Sequence, residues 1–330
     1  MEGPSQTLER ILRPDEFDPP KCERGRKYSI ALDLGPQACG VMLPVLLVRG
    51  RKEGNTLVVT AGVHGDEFEG VRAILELHAE LDPSEMRGDV LAVPVANPPA
   101  FWNKTRTSPL DGENLARSFP GSEHGTPTQV IAFYLSRAVI ARADFYLDLH
   151  SSGLKLLMPS MVGYDARDPR SQSAAARFGA PVTWGHPTIS PGRTVSFAAS
   201  RGIPWLYTEA RGAGRIAAED LRMFKRGIVN LLRHLAILPG IPTPAPVEHE
   251  LHGDGNVDAG NTAAQPGFFI PSVELLQSVH AGQEIGQTMN LYGGVVEAFR
   301  SPCDGVVGMI RAVPVVEPGD SIFLITGLRK

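Results

Sequence analysis

Four prolines fall within the eight residues between Leu238 and Val247, and they divide the chain into two parts with different periodicities. Proline fixes φ and lacks an N–H, so this stretch cannot continue a helix and favours an extended path. Before it, strand-like runs alternate with helix-like ones. Pro44–Arg49, Thr56–Gly62, Asp89–Ala96, Asp144–Leu149 and Pro204–Thr208 read as strands. Phe68–Leu81, Thr128–Ala141 and Ala217–Leu238 read as helices. In the first helix Val71, Ile74, Leu75 and His78 share a face, and Asp66 is placed to cap its start. In the last, Leu221, Phe224, Ile228, Leu231, Leu232 and Leu235 recur at helical spacing. Such alternation predicts an α/β domain, a mixed and mostly parallel sheet with helices on both faces.

After the prolines no helical period remains. Gly267–Ile270, Gln283–Met289, Gly294–Phe299, Gly305–Arg311 and Ser321–Ile325 are short β-like runs between Gly, Pro and Asp turns, which predicts a small all-β module. The expected division is an α/β domain over 1–240 with an extension at 1–27, a proline-rich and polar linker over 241–262, and a β module over 263–330. A length of 330 residues suits about two domains.

Charge narrows the partners. Lys and Arg number 32 against 36 Asp and Glu, so there is no overall basic field to hold nucleic acid or anionic lipid. The local clusters Arg24, Arg26, Lys27 and Arg49, Arg51, Lys52 have no interleaved aromatics for base stacking and read as solvated faces. Apolar runs such as Val41–Val48 are too short to span a bilayer. Three cysteines, Cys22, Cys39 and Cys303, make an odd count without paired spacing, which fits a reducing compartment. The first residues show no apolar core and no basic flank, so no secretory signal is expected and the expected location is cytoplasmic.

Four segments carry candidate chemistry. In the first, a strand ends at Gly62, and His64 and Glu67 sit three apart before a helix begins. Loops at strand ends converge over one crevice in α/β folds, and this spacing lets an imidazole and a carboxylate reach one metal ion. In the second, His150 follows a short buried strand, with Asp148 placed to orient it. His150 is either a third ligand or a satisfied core histidine. In the third, Glu209 ends another apolar strand before a glycine-rich turn. There it is either a general base facing activated water or a surface residue paired with Arg211 or Arg215. In the fourth, the loop Asn97–Gly121 carries Arg106 and Arg117, suited to an oxyanion and a carboxylate, or simply solvated. His124 and His186 lie in Gly/Pro-rich loops and receive no role. Trp184 and Trp205 read as packing residues, and Trp102 as packing or pocket wall.

Together the pieces form a pattern. Gly62-x-His64-Gly65-x-Glu67, Asn97-Pro98 to Arg106, Asn114-Leu115-x-Arg117-x-Phe119-Pro120-Gly121, Asp148-Leu149-His150 and Thr208-Glu209 occur in the order of the succinylglutamate desuccinylase/aspartoacylase family. The chain resembles that family, relatives of the zinc carboxypeptidases, over about residues 40–330. The stretch Thr105–Gly112 looks most like bacterial deacylases of the N-acetyl-diaminobutyrate deacetylase type.

The resemblance implies a zinc-carboxypeptidase-like fold, one zinc per chain held by His64, Glu67 and His150, and Glu209 as general base. It implies that Arg106 polarises the scissile carbonyl and that Arg117, aided by Asn114, binds substrate. Family members commonly read Asn-Leu-Asn-Arg where this chain has Asn114-Leu115-Ala116-Arg117, so Ala116 removes one aid to carboxylate anchoring. The expected activity is zinc-dependent hydrolysis of a small N-acyl amide. Carboxypeptidase-like or esterase activity and a non-catalytic binding protein are the alternatives. A homo-oligomer is expected, with neither nucleic acid nor membrane as partner. The C-terminal module resembles a barrel-sandwich, biotinyl/lipoyl-like domain. It has no lysine between Gly267 and Gly327, so it cannot act as a carrier.

Overall fold

The computed structural model describes residues 8–253, 255 and 260–328. Chain order begins with β1 (Arg10–Leu12), β2 (Arg26–Asp33), β3 (Met42–Arg49), β4 (Lys52–Ala61), α1 (Glu69–Glu80), β5 (Arg87–Val93), α2 (Pro98–Asn103) and α3 (Pro127–Tyr134). It continues with β6 (Phe145–Ser151), β7 (Leu156–Leu157), β8 (Met161–Asp165), α4 (Pro169–Phe178), β9 (Val182–His186), α5 (Thr194–Ser200), β10 (Trp205–Ala210) and α6 (Ala218–His234). All of these strands except β7 line up in one sheet in the order β1-β2-β3-β5-β4-β6-β10-β8-β9. Its centre, β5-β4-β6-β10, is parallel, as expected, and β8 enters antiparallel against β10.

Alternation along the strands sorts side chains between two cores. Leu57, Val59 and Ala61 of β4 and Phe145, Leu147 and Leu149 of β6 pack with α1, α4 and α6. Val58 and Tyr146 point the other way, among residues of α3 and α5. Helix α6 buries Phe224, Ile228, Leu231 and Leu232 completely against the first core. Phe224→Ala should therefore cost about 3–5 kcal/mol of stability by chemical denaturation. A loss under about 1 kcal/mol would contradict this packing.

Two local expectations are corrected. Asp66 does not cap α1, whose N-cap is Phe68 without a side-chain bond. Its carboxylate instead accepts the Leu154 N–H at 3.2 Å, because the turn after β4 folds inward rather than leading straight into the helix. The helix expected over 128–141 is α-helical only to Tyr134. It then widens into a π turn at Leu135–Val139 that keeps Leu135, Ala138 and Val139 buried.

The proline-rich stretch is free of helix and strand, but β11 (His249–His252) forms inside the expected linker and pairs parallel with β9. The remaining strands are β12 (Asn261–Thr262), β13 (Gly267–Pro271), β14 (Ser278–Val279), β15 (Glu284–Met289), β16 (Val295–Arg300), β17 (Gly305–Arg311), β18 (Val315–Val316) and β19 (Ser321–Leu328). One antiparallel sheet runs β16-β15-β13-β18, while β19, β17 and β14 continue from β11. Phe269, Phe299 and Phe323 lie buried together in the core of this all-β part. Strand β7 pairs with β17, which docks this part against residues 156–157. No helix among the described residues is long and apolar enough to cross a membrane.

Candidate metal centre and active-site cavity

The same alternation that builds the cores aims the candidate residues. Asp148 and His150 of β6 project opposite to Leu147 and Leu149, and Tyr207 and Glu209 of β10 project opposite to Leu206 and Ala210. The parallel register sets Glu209 beside His150 and Tyr207 beside Asp148. Four functional side chains thus share one sheet face at the carboxyl ends of neighbouring strands, where α/β folds place their sites.

Strand β4 supplies the next pair. The chain turns at Gly62 with φ 61° and passes so close to α2 that a Cβ on Gly65 would lie 2.0 Å from the Ala100 carbonyl carbon. Only glycine fits that approach. The turn brings Glu67 between two imidazoles. Its Oε1 lies 2.6 Å from His64 Nδ1 and its Oε2 lies 2.9 Å from His150 Nδ1. The Ser151 N–H also donates to Oε2, at 3.2 Å, and Arg106 Nη1 lies 3.5 Å from Oε1. On its far side His150 Nε2 meets Asp148 Oδ2 at 2.9 Å. Asp148 is fully buried and accepts hydroxyl bonds from Thr60 and Thr194 as well.

A carboxylate only accepts, so His150 Nε2 donates to Asp148, and Nδ1, which faces the Glu67 carboxylate, needs a second proton or a metal ion between them. Lone pairs of a neutral imidazole and a carboxylate cannot face each other in a buried space without a positive charge between them. The electrostatics express that demand. Burial opposes a charged His150, yet Asp148 and Glu67 outweigh it and hold its pKa well above the ordinary value. Burial likewise opposes a charged Glu67, but His64 and His150 hold it below the usual carboxylate range. His64 is pushed down by burial and by Arg106. The ligand atoms of His64, Glu67 and His150 all lie within 4.8 Å of one another, and this is the one such grouping among the described residues. Two nitrogens and a carboxylate, buried, with an oriented second histidine, fit a zinc ion with an open coordination position.

Above this triad a small cavity opens toward solvent. His64, His150, Arg106, Arg117, Arg193 and Glu209 line it. Glu209 Oε2 is buried without a hydrogen-bond partner, and burial together with the nearby Glu67 pushes its carboxyl up to about 8. Ala116 also faces the cavity. Asn114 does not; its side-chain oxygen accepts the Ala116 N–H at 2.9 Å and caps the short turn that carries Arg117. Trp102 is 76% exposed, lies outside this cavity and packs edge-on against Phe101. Tyr207 is a cavity residue that received no role from the sequence, and Arg193 and Thr194 end the stretch 184–194, which the sequence offers as a pocket wall without singling out a residue. The signal for Tyr207 was its alternation with Glu209. Arg193 lies more than forty residues from the nearest histidine of the triad and had none of its own.

Comparison with known proteins matches this architecture. Residues 53–235 fit the model of the succinylglutamate desuccinylase/aspartoacylase catalytic domain. The chain is 34% identical over 294 residues to N-alpha-acetyl-L-2,4-diaminobutyric acid deacetylase of Halomonas elongata, covering 86% of this chain and 85% of that one. A succinylglutamate desuccinylase/aspartoacylase from Rhodobacter sphaeroides superposes with a TM-score of 0.78 at 30% identity, over 88% of this chain and 90% of that one. The product-bound ectoine utilization protein EutE (DoeB) from Ruegeria pomeroyi gives 0.84 at 27% identity, over 92% and 96%. The strand order, the carboxyl-end site and these similarities agree, and the chain belongs to the succinylglutamate desuccinylase/aspartoacylase family.

Proposed function

We propose that the protein is a zinc-dependent deacylase that hydrolyses the amide of a small N-acyl amino acid. One observation carries this reading: His64 and His150, whose ligand atoms converge with those of Glu67, border the same cavity as Glu209 and Arg106, so ligands, base and guanidinium can act on one bond. Zinc held by the triad would supply Lewis acidity, drawing the pKa of a water toward 7 and polarising a carbonyl.

The chain's own residues do the rest. Glu209 takes a proton from the attacking water and returns it to the leaving amine. Its raised pKa suits a carboxyl that must both accept and release a proton near neutrality. Arg106 donates to the carbonyl oxygen as negative charge develops there. Arg117 and Arg193, both lining the cavity, offer guanidiniums to a substrate carboxylate, and Asn114 acts by fixing the turn of Arg117. Arg193 supplies a second cation beside Arg117, where the chain carries Ala116. The relative in Halomonas elongata, named as a deacetylase of an acetylated diamino acid, supports a substrate of this class. Cys39 and Cys303 are exposed free thiols, which fits work in the reducing cytoplasm.

Arg117→Ala should raise KM for free-carboxylate substrates about 10- to 100-fold, with kcat changed far less. Substrates amidated at the carboxyl should show no such penalty. An equal loss for both would remove Arg117 from carboxylate binding. A panel of N-acyl amino acids assayed for free amine beside a short blocked peptide tests the activity itself. Faster cleavage of the peptide would replace the deacylase reading with a carboxypeptidase-like one.

A further inference from the structure

Tyr207 and His186 form a pair that the deacylase mechanism above does not use. His186 ends β9 and is buried, not in a loop as its Gly/Pro-rich surroundings suggest. Its Nδ1 lies 2.8 Å from the Gly253 carbonyl oxygen and its Nε2 lies 2.8 Å from the Tyr207 hydroxyl. A carbonyl only accepts, so Nδ1 carries the proton. In the neutral ring Nε2 then accepts the Tyr207 O–H. While the ring is neutral the phenol proton is directed at His186, and what Tyr207 then offers the cavity is oxygen lone pairs.

The pair is built to hold that state. Trp184, His186, Tyr207 and Trp205 stack in succession with centroid separations of 5.6, 5.5 and 6.3 Å. Opposite Tyr207 across the β10–β8 ladder stands Gly163, where a Cβ would lie 2.0 Å from the phenol ring. Burial and the nearby Glu209 keep the phenol protonated. Tyr207 lines the active-site cavity two residues before Glu209, on the same side of β10.

We propose that Tyr207, oriented by His186, is a specificity-determining residue that accepts a hydrogen bond from an ammonium on the substrate's amino-acid part. This rests on the deacylase reading and narrows it to N-acyl diamino acids: the arginines take the carboxylate and Tyr207 takes the second amine.

The test pairs Tyr207→Phe with two substrates of one shape, N-acetyl-2,4-diaminobutyrate and N-acetylnorvaline, in which a methyl replaces the ammonium. The variant should lose about 10- to 100-fold in kcat/KM on the diamino substrate, mostly through KM, and less than about threefold on the norvaline one. Equal loss on both, or none on either, overturns the proposal. So does a wild-type enzyme that hydrolyses both equally well, an outcome that leaves the deacylase reading intact. If wild type cleaves neither, the deacylase reading fails by itself. The His186 tautomer, read from ring ¹⁵N shifts, then still decides for Tyr207. A proton on Nδ1 alone supports the acceptor role, and a proton on Nε2 overturns it.

Discussion

Replacing Glu209 with glutamine is expected to lower kcat about a thousandfold or more while the protein keeps its fold and its zinc. General acid–base catalysis contributes about 10²–10⁴ in rate, and in the proposed mechanism one residue serves both directions of proton transfer. Glutamine has the shape of glutamate and cannot ionise. Glu209 is not among the three groups that converge as ligands, so metal content should stay at the wild-type level. Stability should hold or rise. Burial already favours the uncharged carboxyl, and the amide keeps its shape without ionising. Kinetics with metal analysis and a thermal melt on the same sample check all three. Near-normal turnover would remove Glu209 from the proton path.

His150→Ala should have the second large effect, on the metal. It deletes one of three ligands and strips Asp148 and Glu67 of the group that bridges them. Purified variant should contain less than about a tenth of the wild-type zinc, with activity falling in proportion. Removing the imidazole that bridges two buried carboxylates should also cost about 3–5 kcal/mol of stability. Because that loss can obscure the reading, Asp148→Asn gives a milder companion. It keeps the ligand, changes what Nε2 meets, and should weaken zinc binding about 10- to 100-fold. Stoichiometric zinc in His150→Ala would contradict the ligand assignment.

Both variants act at residues that the sequence exposed, for a physical reason. His64 and Glu67 follow an apolar strand, His150 and Glu209 sit near the carboxyl ends of two others, and strand ends in an α/β fold are where chemistry collects. The long, strongly periodic segments were equally legible. The α6 stripe of Leu221, Phe224, Ile228 and Leu231 is helical by spacing alone and is buried as that spacing requires. Weakly patterned elements were not read. Helix α4 spans PRSQSAAARF, and of its buried residues Ser171, Ala174 and Ala175 are too small, and Phe178 alone too isolated, to mark a face. Strand β11 hides in polar surroundings, where Leu251 is its one buried side chain. Asp66 shows a different limit. Its position favours a cap, but the inward turn that serves His64 and Glu67 carries it to Leu154 instead. Arg193 reaches the cavity through tertiary packing, which no local spacing encodes.

Metal analysis of the purified protein, joined to an amine-release assay on N-acetyl-2,4-diaminobutyrate, tests the central claim most directly. About one zinc per chain is expected, with amine release abolished by a chelator and restored by stoichiometric zinc. Absence of zinc after reconstitution, or amine release that survives its removal, would contradict the account.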